Sequence, residues 1–138
     1  DGIENALKVV PNEKLVNAIP LYTRLWFETP KTQEELAAEA GTEAADYPNK
    51  VTSTALGMDD ARKRIEEAGA QVSWDENTRQ NYAQWDADGG TYKIWLEDSQ
   101  SLEEKLKLIQ KNELAGVAEW RLGWENSEIW DLILQYVN

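Results

Sequence analysis

Cysteine and histidine are both missing from the 138 residues. Without cysteine there is no disulfide and no thiolate metal site. Without histidine the commonest general base, the usual zinc ligand and any Ser-His-Asp triad are gone. Basic residues are scarce, 14 against 26 acids, for a net charge of -12. A phosphate backbone would be repelled over most of such a surface, so no nucleic-acid partner is expected. No apolar run approaches the ~20 residues that cross a bilayer, so no membrane partner is expected. The opening residues Asp1-Gly2-Ile3-Glu4-Asn5 lack the basic start and apolar stretch of a signal peptide. The expectation is a chain that was processed or cut from something longer.

What the chain has in excess is tryptophan, seven of them: Trp26, Trp74, Trp85, Trp95, Trp120, Trp124 and Trp130. An indole needs a partner for its N–H, so cores mostly use aliphatic residues instead. Seven indoles in an acidic chain fit either stacking on sugar rings or a core rich in large flat side chains.

The periodicity predicts a helix over 2–10, with Ile3, Ala6, Leu7 and Val10 on one face, Asp1 as its cap and Pro11 as its stop. An all-apolar strand is expected at 15–20, ending near Pro20. Thr32-Gln33-Glu34-Glu35 has capping-box spacing and opens a short helix. A polar loop over 40–50 leads to a short strand at 51–56. A helix over 57–68 follows, with Met58, Ala61 and Ile65 inside and Gly69 as its stop. Three short strands, 71–75, 81–86 and 91–96, read as an antiparallel meander, and Asp88-Gly89-Gly90 turns the last two into a hairpin. Ser101-Leu102-Glu103-Glu104 reads as a second capping box, opening a helix to Lys111. A buried strand at 116–120 and a last helix capped by Asn126 or Ser127 complete the chain. The two apolar strands need neighbours on both sides, and two of them cannot close a sheet.

Four constellations are candidates for chemistry. Asp86-Ala87-Asp88 with Glu97 has part of the spacing of a calcium loop, but Gly90 and Thr91 stand where a ligand and the required glycine belong; no metal is expected. Glu97-Asp98 follows a strand and precedes a helix, where α/β enzymes place working side chains; Asp98 is better suited to capping the helix. In Pro20-Leu21-Tyr22-Thr23-Arg24-Leu25-Trp26, aromatics and an arginine emerge as a buried strand ends, suiting a forked grip on a sugar oxygen or a packed corner. Trp120 closes the strand in Gly116-Val117-Ala118-Glu119-Trp120, and its flat indole suits a sugar floor or a core.

The last two segments carry a resemblance to glycoside hydrolase family 18, the chitinase-like (β/α)8 barrels, closest in style to bacterial cell-wall and spore-cortex members. Val10-Pro11-Asn12-Glu13-Lys14-Leu15 through Trp26 resembles barrel helix six and strand seven. Ala55-Leu56-Gly57-Met58 through Gly69 and the meander resemble the family's α+β insertion. Tyr92-Lys93-Ile94-Trp95-Leu96-Glu97-Asp98 resembles the run into helix seven, and Leu114 through Gly123 resembles strand eight. The fold this implies is α/β with an α+β part: the last part of a TIM-type barrel (helix 6, strand 7, helix 7, strand 8, helix 8). Residues 1–138 would be a single fragment of a glycosidase domain, with the insertion over about 27–97. The resemblance implies Trp120 as the floor of the central sugar subsite and Tyr22 lining the same pocket. Arg24, Trp26, Trp95 and Glu97 join them by location. The family's catalytic signature D-x-x-D-x-D-x-E matches nothing here, so no catalytic residue is assigned, and the isolated chain is expected to be inactive. The family uses the substrate's own N-acetyl group as nucleophile beside one carboxylic acid. The implied ligand is an amino-sugar polysaccharide, chitin or peptidoglycan, with no cofactor, outside the cell or at the wall or spore. The alternative is a non-catalytic glycan-binding or structural module. Uncovered barrel edges lead us to expect a homo-oligomer.

Overall fold

The computed structural model describes residues 2–137; Asp1, the expected first cap, lies outside them. The chain runs α1 (Gly2–Ala6), β1 (Val16–Pro20), β2 (Tyr22–Pro30), α2 (Gln33–Ala38), β3 (Asn49–Gly57) and α3 (Met58–Ala68). It continues through β4 (Ser73–Asp75), β5 (Gln80–Ala87), β6 (Gly90–Leu96), α4 (Ser99–Lys111), β7 (Gly116–Trp120) and α5 (Glu128–Val137).

Two sheets result. β1 and β7 form a parallel pair, in register from Val16 opposite Gly116 to Pro20 opposite Trp120. Side chains alternate across a strand. Ile19, with Leu21 just beyond the strand, therefore packs against Leu102, Leu106 and Ile109 of α4 and Ile129 and Ile133 of α5. The other face of the pair, with Val16, Ala18, Ala118 and Trp120, is exposed. The remaining five strands form an antiparallel sheet in the order β3-β2-β6-β5-β4. Leu25, Ala83, Ile94 and Leu96 turn one face of it toward Ala61 and Ile65 of α3, a second core. Leu25 lies opposite Ile94 and Trp26 opposite Lys93, so Trp26 and Trp95 belong to the face away from α3.

The expected hairpin is present. Asp88 and Gly89 both take positive φ, 55° and 76°, which matches the twist of the strands they join. At Gly90 a Cβ would fall 2.3 Å from the Glu28 carbonyl oxygen, so close strand approach requires glycine. The Thr32 capping box forms as expected.

Three expectations are corrected. The first helix stops at Ala6 rather than running to residue 10; at five residues it has no packing face to propagate it. Residues 22–30, not assigned to any element, form the longest run of strand pairing, with both β3 and β6 as neighbours. The second capping box is made by Asp98 and Ser101, not by Ser101 and Glu104. Asp98 accepts from the Ser101 N–H at 3.0 Å and the Ser101 hydroxyl accepts from the Asp98 N–H at 3.0 Å. β6 ends only two residues earlier, so the first available acceptor caps the helix. Of the two caps expected for α5, Asn126 does not serve through its side chain, its Oδ1 being buried without a partner; Ser127 is the residue directly before the helix.

The two cores meet at one joint. Met58 N–H donates to the Trp124 carbonyl at 2.8 Å. The Trp124 ring meets Tyr22 edge to face, 5.9 Å between centroids.

Candidate functional site

Leu21 is the only residue between β1 and β2, and its N–H donates to the Trp120 carbonyl at 2.6 Å. The strand therefore leaves the parallel pair and enters the antiparallel sheet without a loop. A cleft of about 300 Å³ opens at this transfer. Tyr22, Arg24, Trp26, Trp95 and Glu97 all line it. Trp120 does not line it. It sits beside Pro20, which does, and its indole is 68% exposed on the open face of the parallel pair.

Each wall has a local cause. Tyr22, Arg24 and Trp26 alternate along β2 and so share a face. The Arg24 guanidinium donates from Nε and Nη2 to the Ser53 hydroxyl at 3.0 and 2.7 Å. It also lies 5.7 Å from the Trp26 ring centre, a cation–π contact. The Trp95 indole N–H donates to Asp75 Oδ2 at 3.2 Å, and the ring tilts against Tyr82 at 4.6 Å. The Asn77 backbone N–H, first among several donors, holds the Asp75 carboxyl below its usual range.

Glu97 is 5% exposed and fully occupied. Its Oε1 accepts from Gln80 Nε2 at 2.5 Å and from the Lys105 ammonium; its Oε2 accepts from the Ser101 hydroxyl at 3.2 Å. Burial pushes its pKa up while Lys105 pulls it down, and burial prevails. The Glu97 N–H donates to the Thr23 hydroxyl at 2.7 Å, which donates to the Trp95 carbonyl at 2.9 Å. Asp98, the neighbour of Glu97, is engaged as a cap and accepts from Asn81 at 2.8 Å. Among the described residues no cluster of three or more Asp, Glu, His or Cys is placed to hold a metal ion.

Sequence reasoning missed Gln80, Thr23 and Thr78, which also line the cleft. Gln80 and Thr78 flank the start of β5 and reach the cleft only through strand pairing, which no local pattern announces. Thr23 is adjacent to Tyr22, but strand alternation assigns it to the opposite face of β2, so no local pattern marks it as a cleft residue. A larger groove of about 520 Å³, between α3 and strands β2, β3 and β6, mixes acids and bases over an apolar floor. None of the six expected residues lies in it.

The sequence profile of Glycosyl hydrolases family 18 matches residues 3–125. The chain belongs to that family. A cortical fragment-lytic enzyme of Bacillus subtilis (strain 168) is 27% identical over 139 residues, which is all of this chain and 28% of the relative. Among solved structures, a chitinase from Chromobacterium violaceum is 25% identical with a TM-score of 0.76, covering 99% of this chain and 37% of that one. A class V chitinase from Nicotiana tobaccum, solved in complex with NAG4, is 20% identical with a TM-score of 0.66, again covering 99% and 37%. The family 18 chain described here therefore spans about a third of the length of the proteins it matches.

Proposed function

We propose that this chain supplies one wall and part of the floor of a glycan cleft in a family 18 hydrolase acting on N-acetylglucosamine-containing polymers. In this reading β1 and β7 are adjacent strands of a (β/α)8 barrel, α4 and α5 are outer helices, and the five-stranded sheet with α3 is the insertion. Trp120 is the sugar floor, and Tyr22, Arg24, Trp26 and Trp95 are the wall. The observation that carries the reading is the convergence of five expected residues on one cleft at the end of β1, with an exposed indole beside it. Flat rings next to hydrogen-bonding side chains suit a pyranose, which offers an apolar face and a rim of hydroxyls. The names of the family relatives agree: chitinases, one with NAG4, and a cortical fragment-lytic enzyme.

Glu97 belongs to the frame of the cleft rather than to the chemistry. Both its oxygens are engaged and an ammonium neutralises it, so it has no free proton to give a leaving oxygen. With no other carboxyl in the cleft lining, the chain alone binds without hydrolysing. The names of the relatives, a cortical fragment-lytic enzyme among them, support a polymer of the cell wall or spore cortex as the substrate. The test pairs two assays on this chain: tryptophan emission titrated with tetra-N-acetylchitotetraose, and product analysis on chitooligosaccharides and muropeptides. Saturable quenching without turnover is expected. Turnover would place a proton donor in this chain and overturn the division of labour; no quenching would overturn the cleft.

A further inference from the structure

Gln80 opens β5 and lines the cleft with Arg24 and Trp95. Its Nε2 donates to Glu97 Oε1 at 2.5 Å and to the Leu96 carbonyl at 3.4 Å. A carboxylate and a backbone carbonyl only accept, so both contacts require the nitrogen end of the amide to face inward. That orientation is held from α4. Lys105 and Ser101 fix the carboxylate from one helix, and the backbone of Glu97 is tied to Thr23 of β2. The carbonyl end, Oε1, makes no hydrogen bond among the described residues.

Several other oxygens around the cleft are committed. Glu97 is occupied, Thr23 both donates and accepts, and Asp75 takes the Trp95 indole and the Asn77 N–H. The Arg24 guanidinium is a pure donor. A sugar brings hydroxyl and acetamide N–H donors into such a space, and each donor that loses water needs an acceptor.

We infer that Gln80 contacts the bound glycan directly, accepting a sugar N–H or O–H on Oε1, and that Glu97 is the positioning residue that fixes which end of the amide faces the sugar. This rests on the cleft being a glycan site. It makes Gln80 a determinant of specificity: the cleft rewards a donor at that point and penalises a ligand that lacks one.

The test is calorimetric titration of this chain and of Gln80→Met with tetra-N-acetylchitotetraose and with cellotetraose, which lacks the acetamide. Methionine keeps the length and removes the acceptor. Binding of the acetylated tetramer is expected to weaken by about five- to tenfold, the loss of one hydrogen bond. A loss confined to that ligand identifies the amide N–H, and an equal loss for cellotetraose identifies a hydroxyl; both support the inference. Unchanged affinity with unchanged far-UV circular dichroism overturns it. Should Gln80→Met fail to fold, the unaltered chain answers through the Gln80 side-chain carbonyl 13C resonance during titration. Movement in step with the Trp95 indole supports the contact, and a fixed resonance while the indole moves overturns the role of Gln80 alone. If neither heat nor any resonance responds, the cleft itself is not a glycan site and both readings fall.

Discussion

Lys105→Met strands a buried carboxylate while keeping most of the apolar volume of the lysine stem. Glu97 is 5% exposed and the Lys105 side chain 31%. Breaking a fully buried ion pair from one side costs roughly 3–5 kcal/mol. Here Gln80 and Ser101 still donate to the carboxylate and water reaches the lysine side, so the expected loss is about 2–3 kcal/mol at about pH 7. At roughly 2 cal/mol/K of unfolding entropy per residue, that lowers Tm by about 8 °C for a chain of this size. The pH dependence has a definite sign. Burial already pushes the Glu97 pKa up, and losing the ammonium pushes it further. A native carboxyl with a raised pKa binds its proton more tightly than the unfolded chain does. Its stabilising effect is therefore complete below the ordinary carboxyl pKa and is lost as pH rises through the native value. The deficit of Lys105→Met is thus largest near neutrality and shrinks toward about pH 4. Urea denaturation of both proteins across that range checks it. A deficit below about 1 kcal/mol at neutrality, or one that does not change with pH, would refute the claim that Glu97 is a buried, tethered charge.

Three further outcomes are expected. Gly90→Ala forces a Cβ to 2.3 Å from the Glu28 carbonyl and 2.8 Å from the Phe27 ring; a loss of about 2–4 kcal/mol in urea denaturation follows. Glu35, ion-paired with Lys50 at 2.7 Å and bonded to the Thr32 N–H, has its pKa lowered to about 2. Its support of α2 therefore holds above the ordinary carboxyl pKa and fades as pH falls toward 2; carboxyl 13C titration should find that midpoint and see it rise in Lys50→Ala. The exposed apolar face of β1 and β7 favours self-association while a charge of -12 opposes it. Sedimentation should therefore show oligomers growing with added salt, and a monomer at all salt concentrations would count against an uncovered barrel edge.

The parts of the fold legible in the sequence are those whose partners lie nearby. α3 shows its buried stripe of Met58, Ala61 and Ile65, and the β5–β6 hairpin announces itself through Asp88-Gly89. β2 was hidden because both its faces are aromatic. Trp26 and Phe27 are consecutive, so no polar alternation marks the strand, and Pro20 reads as an exit although the pairing resumes one residue later. The cleft follows the same division. Tyr22, Arg24 and Trp26 drew attention as a local cluster, and Trp95 and Glu97 as a strand end. Gln80 had no signal at all, because its meaning lies in a partner seventeen residues on.

That division has a physical consequence for how the cleft keeps its shape. The parallel pair presents Trp120, and the antiparallel sheet presents Arg24, Trp26 and Trp95. On the proposed reading, a sugar touching both would feel the angle between two sheets that share a single continuous strand path at Leu21. One covalent path would act as a hinge, but two further ties cross the joint. Met58 N–H holds the loop after β7 through the Trp124 carbonyl. Within the antiparallel sheet the Thr23 hydroxyl ties β2 to the end of β6. Lys105 and Ser101 of α4 grip Glu97. The Met58 tie and the α4 grip on Glu97 lie on different elements and share no residue, so loosening one leaves the angle constrained by the other. Rigid placement of this kind lets aromatic faces and hydrogen-bonding groups meet a sugar without first being ordered by it.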